Sequence, residues 1–153
     1  MADRPAGDPA KIFALERYHH WAHVMRQHFE SRQYADERKA HWEPYMAAWY
    51  GLLYVVVEGW EKLGLSDSEI DGLLLDDAKK ELLRRYRNGA FHYQPDYFDD
   101  RFVDLWSRDY EATSWIQRLH DAIARWIPAW NESYGRWLDS RQRGEHQPGG
   151  QSG

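Results

Sequence analysis

The chain has 153 residues, no cysteine and a formal net charge of −5 at pH 7. This length fits one domain with a substantial core, and the lack of cysteine excludes disulfides, thiolate zinc sites and cysteine nucleophiles. The acidic charge is atypical of proteins that coat nucleic acid nonspecifically, so any contact with RNA must be local.

The first helix is predicted to begin at Asp8-Pro9, where an N-cap residue precedes a proline. It runs to about Ser31, because apolar residues recur at helical spacing up to that point. The residues before it lack the apolar run of a secretory signal, and this predicts a cytoplasmic protein.

Two histidines of this helix, His19 and His23, lie one turn apart, and Glu16 and His20 are close to them. A metal site at this position lacks an indicated third ligand, and no glutamate directly follows the first histidine. Structural or solvated histidines are therefore the favoured interpretation.

The second helix is predicted from a nearly continuous apolar run, Tyr45 to Leu63, which follows a polar stretch, Arg32 to Lys39. The run is too short to span a bilayer, for which about 20 residues are needed. A helix that is apolar on all sides is buried on all sides, so it is expected at the centre of the fold. Gly64 is its expected C-cap.

Glu58 interrupts this apolar run. A buried carboxylate needs a partner, and Arg87 or another arginine of the motif described below is of the right kind. The alternative is that Glu58 lies near the helix end with its carboxylate in water.

A short helix follows, because Ser66-x-x-Glu69 predicts a capping box and the apolar residues continue to about Leu75. Asp76 or Asp77 is the expected cap of the next helix. One helix bent at Gly72 is an alternative that the sequence leaves open.

The next helix carries the most informative stretch, LRRYRNGAFHYQ, at residues 83–94. Its core-facing stripe consists of Leu82, Leu83, Tyr86 and Ala90, extended upstream by Ala78. Arg87 and His92 leave the helix on opposite flanks, about 140° apart. The residues between them on the outer face are Arg84, Asn88 and Phe91. An aromatic ring that the domain's own core cannot bury predicts a binding surface.

Five positive charges fall within nine residues of this helix: Lys79, Lys80, Arg84, Arg85 and Arg87. They predict a locally positive surface on an acidic protein. The alternative is that some of them only complement the dipole at the helix C-terminus.

Asp99 is the expected cap of another short helix, and the last long helix is predicted to begin near Arg108 or Asp109, with a kink at Pro128. The composition from Arg141 onward predicts disorder. The fold predicted from these elements is an all-α, up-down helical bundle of four main helices plus one or two short helices. It forms one domain at residues 8–140, and residues 1–7 and 141–153 are expected to be flexible.

The motif Arg87-Asn88-x3-His92 resembles the Arg-x4–6-His signature of the HEPN superfamily, whose members are small all-helical domains. Its Arg-Asn-x3-His form is similar to that of metal-independent ribonuclease toxins and abortive-infection proteins. The resemblance implies a homodimer that acts on RNA and leaves a 2′,3′-cyclic phosphate, with Arg87, Asn88 and His92 as catalytic residues. It implies no metal and no cofactor. The supporting residues are Glu58, Arg84, Phe91 and Tyr93.

The residue types of the motif suit this chemistry. Histidine exchanges protons near neutral pH, and the planar fork of arginine binds phosphate through two hydrogen bonds. One histidine cannot easily serve as base and acid at once, whereas two copies of the motif across a two-fold axis supply two.

The resemblance also suggests a nucleotidyltransferase-type antitoxin as partner, because some family members carry a tyrosine two residues after the histidine that such a partner modifies. Gln94 occupies that position here, and the tyrosine, Tyr93, lies one residue closer to His92. 

Three other interpretations stay open. The first is a noncatalytic HEPN-like module that binds nucleotides, RNA or another protein. The second is a structural motif whose polar residues bond to Asp96 or Asp99. The third, a four-helix metal–carboxylate protein, lacks the Glu-x-x-His pairs that such sites use.

Overall fold

The computed structural model describes residues 3–33, 42–107 and 109–145, and these ranges contain six helices and no strand. The helices are α1 (Pro9–Gln33), α2 (Glu43–Leu63), α3 (Ser68–Leu74), α4 (Asp77–Phe91), α5 (Asp100–Ser107) and α6 (Asp109–Glu145). Four are long and two are short, so the predicted all-α bundle is confirmed. No helix in the described ranges is long and apolar enough to cross a membrane.

Helix α2 is the central element, as its composition predicts. Trp49, Leu53 and Val56 are each fully buried, and the helix packs against α1 on one side and α4 on another. Gly64 ends it in the left-handed conformation with φ 59°, which glycine adopts at little cost. Burial of each such side chain contributes about 1.5–3 kcal/mol to folding, so α2 fixes the position of its neighbours.

Helix α4 lies antiparallel to α2. Lys80, near its start, pairs with Glu61 near the end of α2 at 3.0 Å, and Phe91, at its end, lies against Gly51. Asp76 caps the helix by accepting a hydrogen bond from the backbone N–H of Lys79 at 3.1 Å. This orientation carries the end of α4, with its motif, to the middle of α2.

Two details of α3 differ from the sequence prediction. Its N-cap is Asp67, whose Oδ1 accepts from the backbone N–H groups of Glu69 and Ile70 at 2.9 and 3.1 Å. Ser66, the predicted cap, instead donates to Asp71 at 2.7 Å. Helices α3 and α4 are separate, so the alternative of one helix bent at Gly72 is wrong.

Helix α6 is longer than predicted. It continues through Pro128 to Glu145, so helical structure extends past residue 140, where the sequence predicts the folded domain to end. The kink at Pro128 stays a prediction. Arg108 and the polar segment at 34–41 lie outside the described residues.

Two histidines of α1, His19 and His23, have structural partners. Trp49 Nε1, which can only donate, bonds to Nδ1 of buried His120 at 3.1 Å. His120 Nε2 therefore carries the proton and donates to His23 Nδ1 at 3.3 Å, and His19 Nε2 donates to the His120 carbonyl at 3.2 Å. Burial lowers the pKa of His120 to about 3 and also lowers that of His19. These contacts hold α1, α2 and α6 together around neutral imidazoles.

Candidate active site

His92 and Asn88 share one face at the end of α4 because they are four residues apart. Both line an open pocket of about 300 Å³, together with Gln94 and Arg101. His92 ends the helix with an extended backbone (φ −127°, ψ 131°), and its N–H still donates to the Asn88 carbonyl at 3.1 Å. The side chain of His92 is exposed to solvent at the end of the helix.

Arg101 is the member of this pocket that the sequence predictions do not include. It lies in the first turn of α5, where its guanidinium donates to Oε1 of Gln94 and is 3.6 Å from Asp99 Oδ2. A cation in the first turn of a helix is opposed by the helix dipole. This unfavourable placement, next to the predicted cap Asp99, is the sequence signal that could have identified Arg101 as a candidate site residue.

Gln94 connects the two sides of the pocket. Its Nε2 donates to the His92 carbonyl at 2.9 Å, while its Oε1 accepts from Arg101. Gln94 therefore links the end of α4 to the start of α5.

Arg87 faces away from this pocket, as the 140° separation from His92 predicts. Its Nη2 donates to Oε1 of Glu58 at 3.1 Å, and its guanidinium lies 5.0 Å above the centre of the Tyr54 ring. The predicted pairing of Glu58 with Arg87 is confirmed. The Nε of Arg87 is buried without a hydrogen-bond partner among the described residues. The described residues therefore satisfy only some of the hydrogen-bond donors of this guanidinium.

The five cations of α4 are each paired with a carboxylate: Lys79 with Asp76, Lys80 with Glu61 and Asp77, Arg84 with Glu81, Arg85 with Asp104, and Arg87 with Glu58. The nitrogen–oxygen distances range from 2.5 to 3.3 Å. The carboxylates offset the positive potential that the sequence predicts around this helix. Attraction of a phosphate must therefore depend on individual side chains and not on the net charge of α4.

The end of α4 and the following loop expose aromatic side chains. In the part of the chain that the structure describes, four of the eight exposed large hydrophobic residues fall within residues 91–98: Phe91, Tyr93, Tyr97 and Phe98. Phe91 is 58% exposed and covers Gly51 with its other face. Such a concentration beside one pocket is typical of a binding surface.

The carboxylates of the loop do not bond to the motif. Asp96 accepts from the backbone N–H of Phe98 at 2.9 Å, and Asp99 accepts from the backbone N–H of Arg101 at the same distance. Both shape the loop and the start of α5. The interpretation in which Asp96 or Asp99 holds the motif residues is therefore wrong for Arg87, which pairs with Glu58.

No protein-family model matches the chain, and no significantly similar curated protein or solved structure was found. The HEPN resemblance therefore depends on Arg87, Asn88 and His92 themselves.

Proposed function

We propose that the protein is a metal-independent endoribonuclease that acts on cytoplasmic RNA and uses His92 for proton transfer. The observation that supports this most is the pocket in which His92, Asn88 and Arg101 meet. Cleavage of RNA without a metal requires proton transfer and stabilisation of charge on the phosphate, which a histidine and a guanidinium can supply. An amide can add a hydrogen bond to the phosphate.

The reaction is an internal transesterification. The ribose 2′-oxygen loses its proton to a base and bonds to phosphorus, the bond from phosphorus to the 5′-oxygen breaks, and an acid protonates the departing oxygen. The products are a 2′,3′-cyclic phosphate and a free 5′-hydroxyl. Arg101 binds the phosphate, Asn88 donates a hydrogen bond to it, and His92 moves a proton.

A homodimer completes the proposed site, because each chain supplies one motif histidine. Phe91, exposed on one face and supported by Gly51 on the other, offers an apolar contact close to His92. A two-fold axis near the ends of both α4 helices brings the two histidines into one cleft. Arg87 faces away from the pocket of its own chain and pairs with Glu58, so we propose that it contacts a phosphate only across the dimer.

A role in toxin–antitoxin systems or phage defence is the biological setting that the resemblance suggests. A nucleotidyltransferase-type antitoxin is the proposed partner. Tyr93 is the acceptor we propose for it, because this side chain is 91% exposed and directly follows His92. Arg84 is also exposed beside the motif, where it pairs with Glu81 at 2.6 Å.

A noncatalytic RNA- or nucleotide-binding module is the second candidate function. The observation that favours it is the pairing of Arg87 with Glu58, which keeps the motif arginine outside the pocket of His92 in one chain. Such a protein retains RNA binding but needs no second histidine.

Incubation of the purified protein with end-labelled RNA in EDTA distinguishes the two functions. We expect the wild type to cut the RNA, and we expect His92→Ala to lose about 10²-fold or more in rate, the usual scale for a general acid or base. His20→Ala, which removes an exposed histidine of α1, is the matched control and should cut normally. RNA binding without cleavage by the wild type would favour the second candidate.

A further inference from the structure

A larger pocket of about 690 Å³ lies beside the candidate active site, within the usual range for small-ligand sites of about 300–1,000 Å³. Its apolar lining comes from α2, α4, α5 and the loop before α5: Pro44, Ala47, Tyr86, Ala90, Phe98 and Phe102. Gln94 lines this pocket and the pocket of His92. The two pockets are therefore neighbours on either side of one side chain.

The floor of the larger pocket is fixed by core packing. Tyr86 is 3% exposed, and its ring meets the Phe102 ring edge-on at 5.6 Å. Phe102 also closes over Gly89, where an added Cβ would lie 3.0 Å from the ring. The pocket is thus preformed, and a ligand entering it does not need to order these rings.

Exposed aromatic rings also lie at the opening of the pocket. Tyr97 and Phe98 are 85% and 73% exposed, and their rings meet edge-on at 5.1 Å. Exposed rings beside an apolar pocket provide faces on which a planar base can stack.

Among the described residues, the charged side chains that line this pocket are the carboxylates of Glu43 and Asp96, whereas Arg101 lines the neighbouring pocket. A phosphate is therefore directed toward Arg101 and away from the larger pocket. The group that fits beside Glu43 is a neutral, planar one that presents hydrogen-bond donors to a carboxylate.

We propose that the larger pocket binds a guanine base of RNA, the base of the nucleotide whose 3′-phosphate lies at His92 and Arg101. The position of the phosphate rests on the proposed ribonuclease function. Guanine presents two adjacent donors, N1–H and the N2 amino group, which one carboxylate accepts together. Adenine and cytosine place an acceptor next to their amino group, and uracil flanks its single donor with two acceptors, so each of them meets the carboxylate with repulsion.

Glu43 is the carboxylate assigned to read the base. Asp96 already uses one oxygen to accept from the backbone of Phe98 and holds the loop. Glu43 is an exposed residue at the start of α2, so its carboxylate can meet the base without disturbing that loop.

Cleavage of three pentanucleotides, UUGUU, UUIUU and UUAUU, tests the base preference. We expect cleavage after guanosine to be about 10- to 100-fold faster than after adenosine, the usual discrimination by a two-bond contact. Inosine, which keeps N1–H but lacks the amino group, should fall between them. Glu43→Gln should remove the preference for guanosine, while Glu132→Gln, with the same charge change on α6, should keep it.

Binding of the same RNAs to His92→Ala protein separates this inference from the ribonuclease proposal. By fluorescence anisotropy, we expect UUGUU to bind at least tenfold more tightly than UUAUU. Tyr97→Ala should weaken binding of UUGUU about tenfold through lost stacking, and Tyr97→Phe, which keeps the ring, should not.

The outcomes of these experiments separate the guanine pocket from the ribonuclease function. Cleavage of all three RNAs at equal rates would overturn the guanine pocket and leave the ribonuclease. Selective binding of UUGUU without cleavage by the wild type would support the pocket and overturn the ribonuclease. Neither binding nor cleavage would overturn both.

Discussion

Arg87 Nη2 donates to Glu58 Oε1 at 3.1 Å, so the motif arginine is tied to α2 and not to the pocket of its own His92. The pair is half-buried, with 27% of the Arg87 side chain and 36% of the Glu58 side chain exposed. Glu58 therefore controls how much of the positive charge of Arg87 reaches a ligand.

Glu58→Gln should tighten RNA binding and make it more salt-dependent. The change frees one positive charge, so the slope of log K against log salt should steepen by about 0.7 for a single strand. Glu132→Gln gives the same change in net charge away from α4 and is the control. Binding isotherms at several salt concentrations measure the slope, and equal slopes for both variants would contradict a local effect. We also expect Glu58→Gln to lower the free energy of unfolding by about 1 kcal/mol.

Gly51→Ala should displace Phe91, because a Cβ at this position would overlap its ring. Alanine favours a helix over glycine by about 1 kcal/mol, so the monomer should lose little stability while the proposed dimer weakens. Gly72→Ala is the control, since an added Cβ there meets nothing within 4 Å. Sedimentation velocity over a concentration series measures dimerisation. If the Gly51→Ala protein associates like the wild type, Phe91 is not part of the dimer interface.

Arg101→Lys should reduce cleavage nearly as much as Arg101→Ala. An ammonium keeps the charge but cannot contact Gln94 and a phosphate through one planar fork. Single-turnover rates on RNA test this, with Arg136→Lys on α6 as the control. If Arg101→Lys cuts RNA at the wild-type rate, a positive charge alone is enough for cleavage and the planar guanidinium has no role.

Stability should fall as the pH drops from 6.5 toward 5. The pKa of His120 is lowered to about 3 by burial, and that of His19 is also lowered. Between pH 6.5 and 5 the unfolded chain binds protons that the folded chain does not. Each such histidine therefore lowers the free energy of unfolding by up to about 1.4 kcal/mol per pH unit. Urea unfolding of the wild type and His120→Asn at pH 7 and pH 5 measures the difference. A variant with the same pH dependence as the wild type would contradict this role of His120.

The sequence alone predicts features that follow from helical spacing or from the cost of burying a charged group. The apolar stripe of α4 follows from helical spacing, and the pairing of Glu58 with Arg87 follows from the cost of burying an unpaired carboxylate. The structure confirms the pairing and the burial of Leu82, Leu83 and Tyr86, whereas the predicted extension of the stripe to Ala78 is wrong because that residue is exposed.

The features that sequence does not predict depend on contacts between distant elements. His120 receives its hydrogen bond from Trp49, 71 residues away, and no local pattern brings them together. Arg101 belongs to a different helix from His92, so its place in the pocket depends on how the loop between α4 and α5 folds. The positive charge expected around α4 is offset in part by Glu58 and Asp104, which lie on neighbouring helices and could not be assigned as partners from local spacing.

The most direct test of the central claim is the mass of the 5′ fragment released from UUGUU in EDTA by the wild type and by His92→Ala. Proton transfer by His92 without a metal predicts a fragment ending in a 2′,3′-cyclic phosphate, formed at least about 10²-fold more slowly by the variant. A wild-type fragment that ends in a free 3′-hydroxyl, or equal rates for both proteins, would contradict the account.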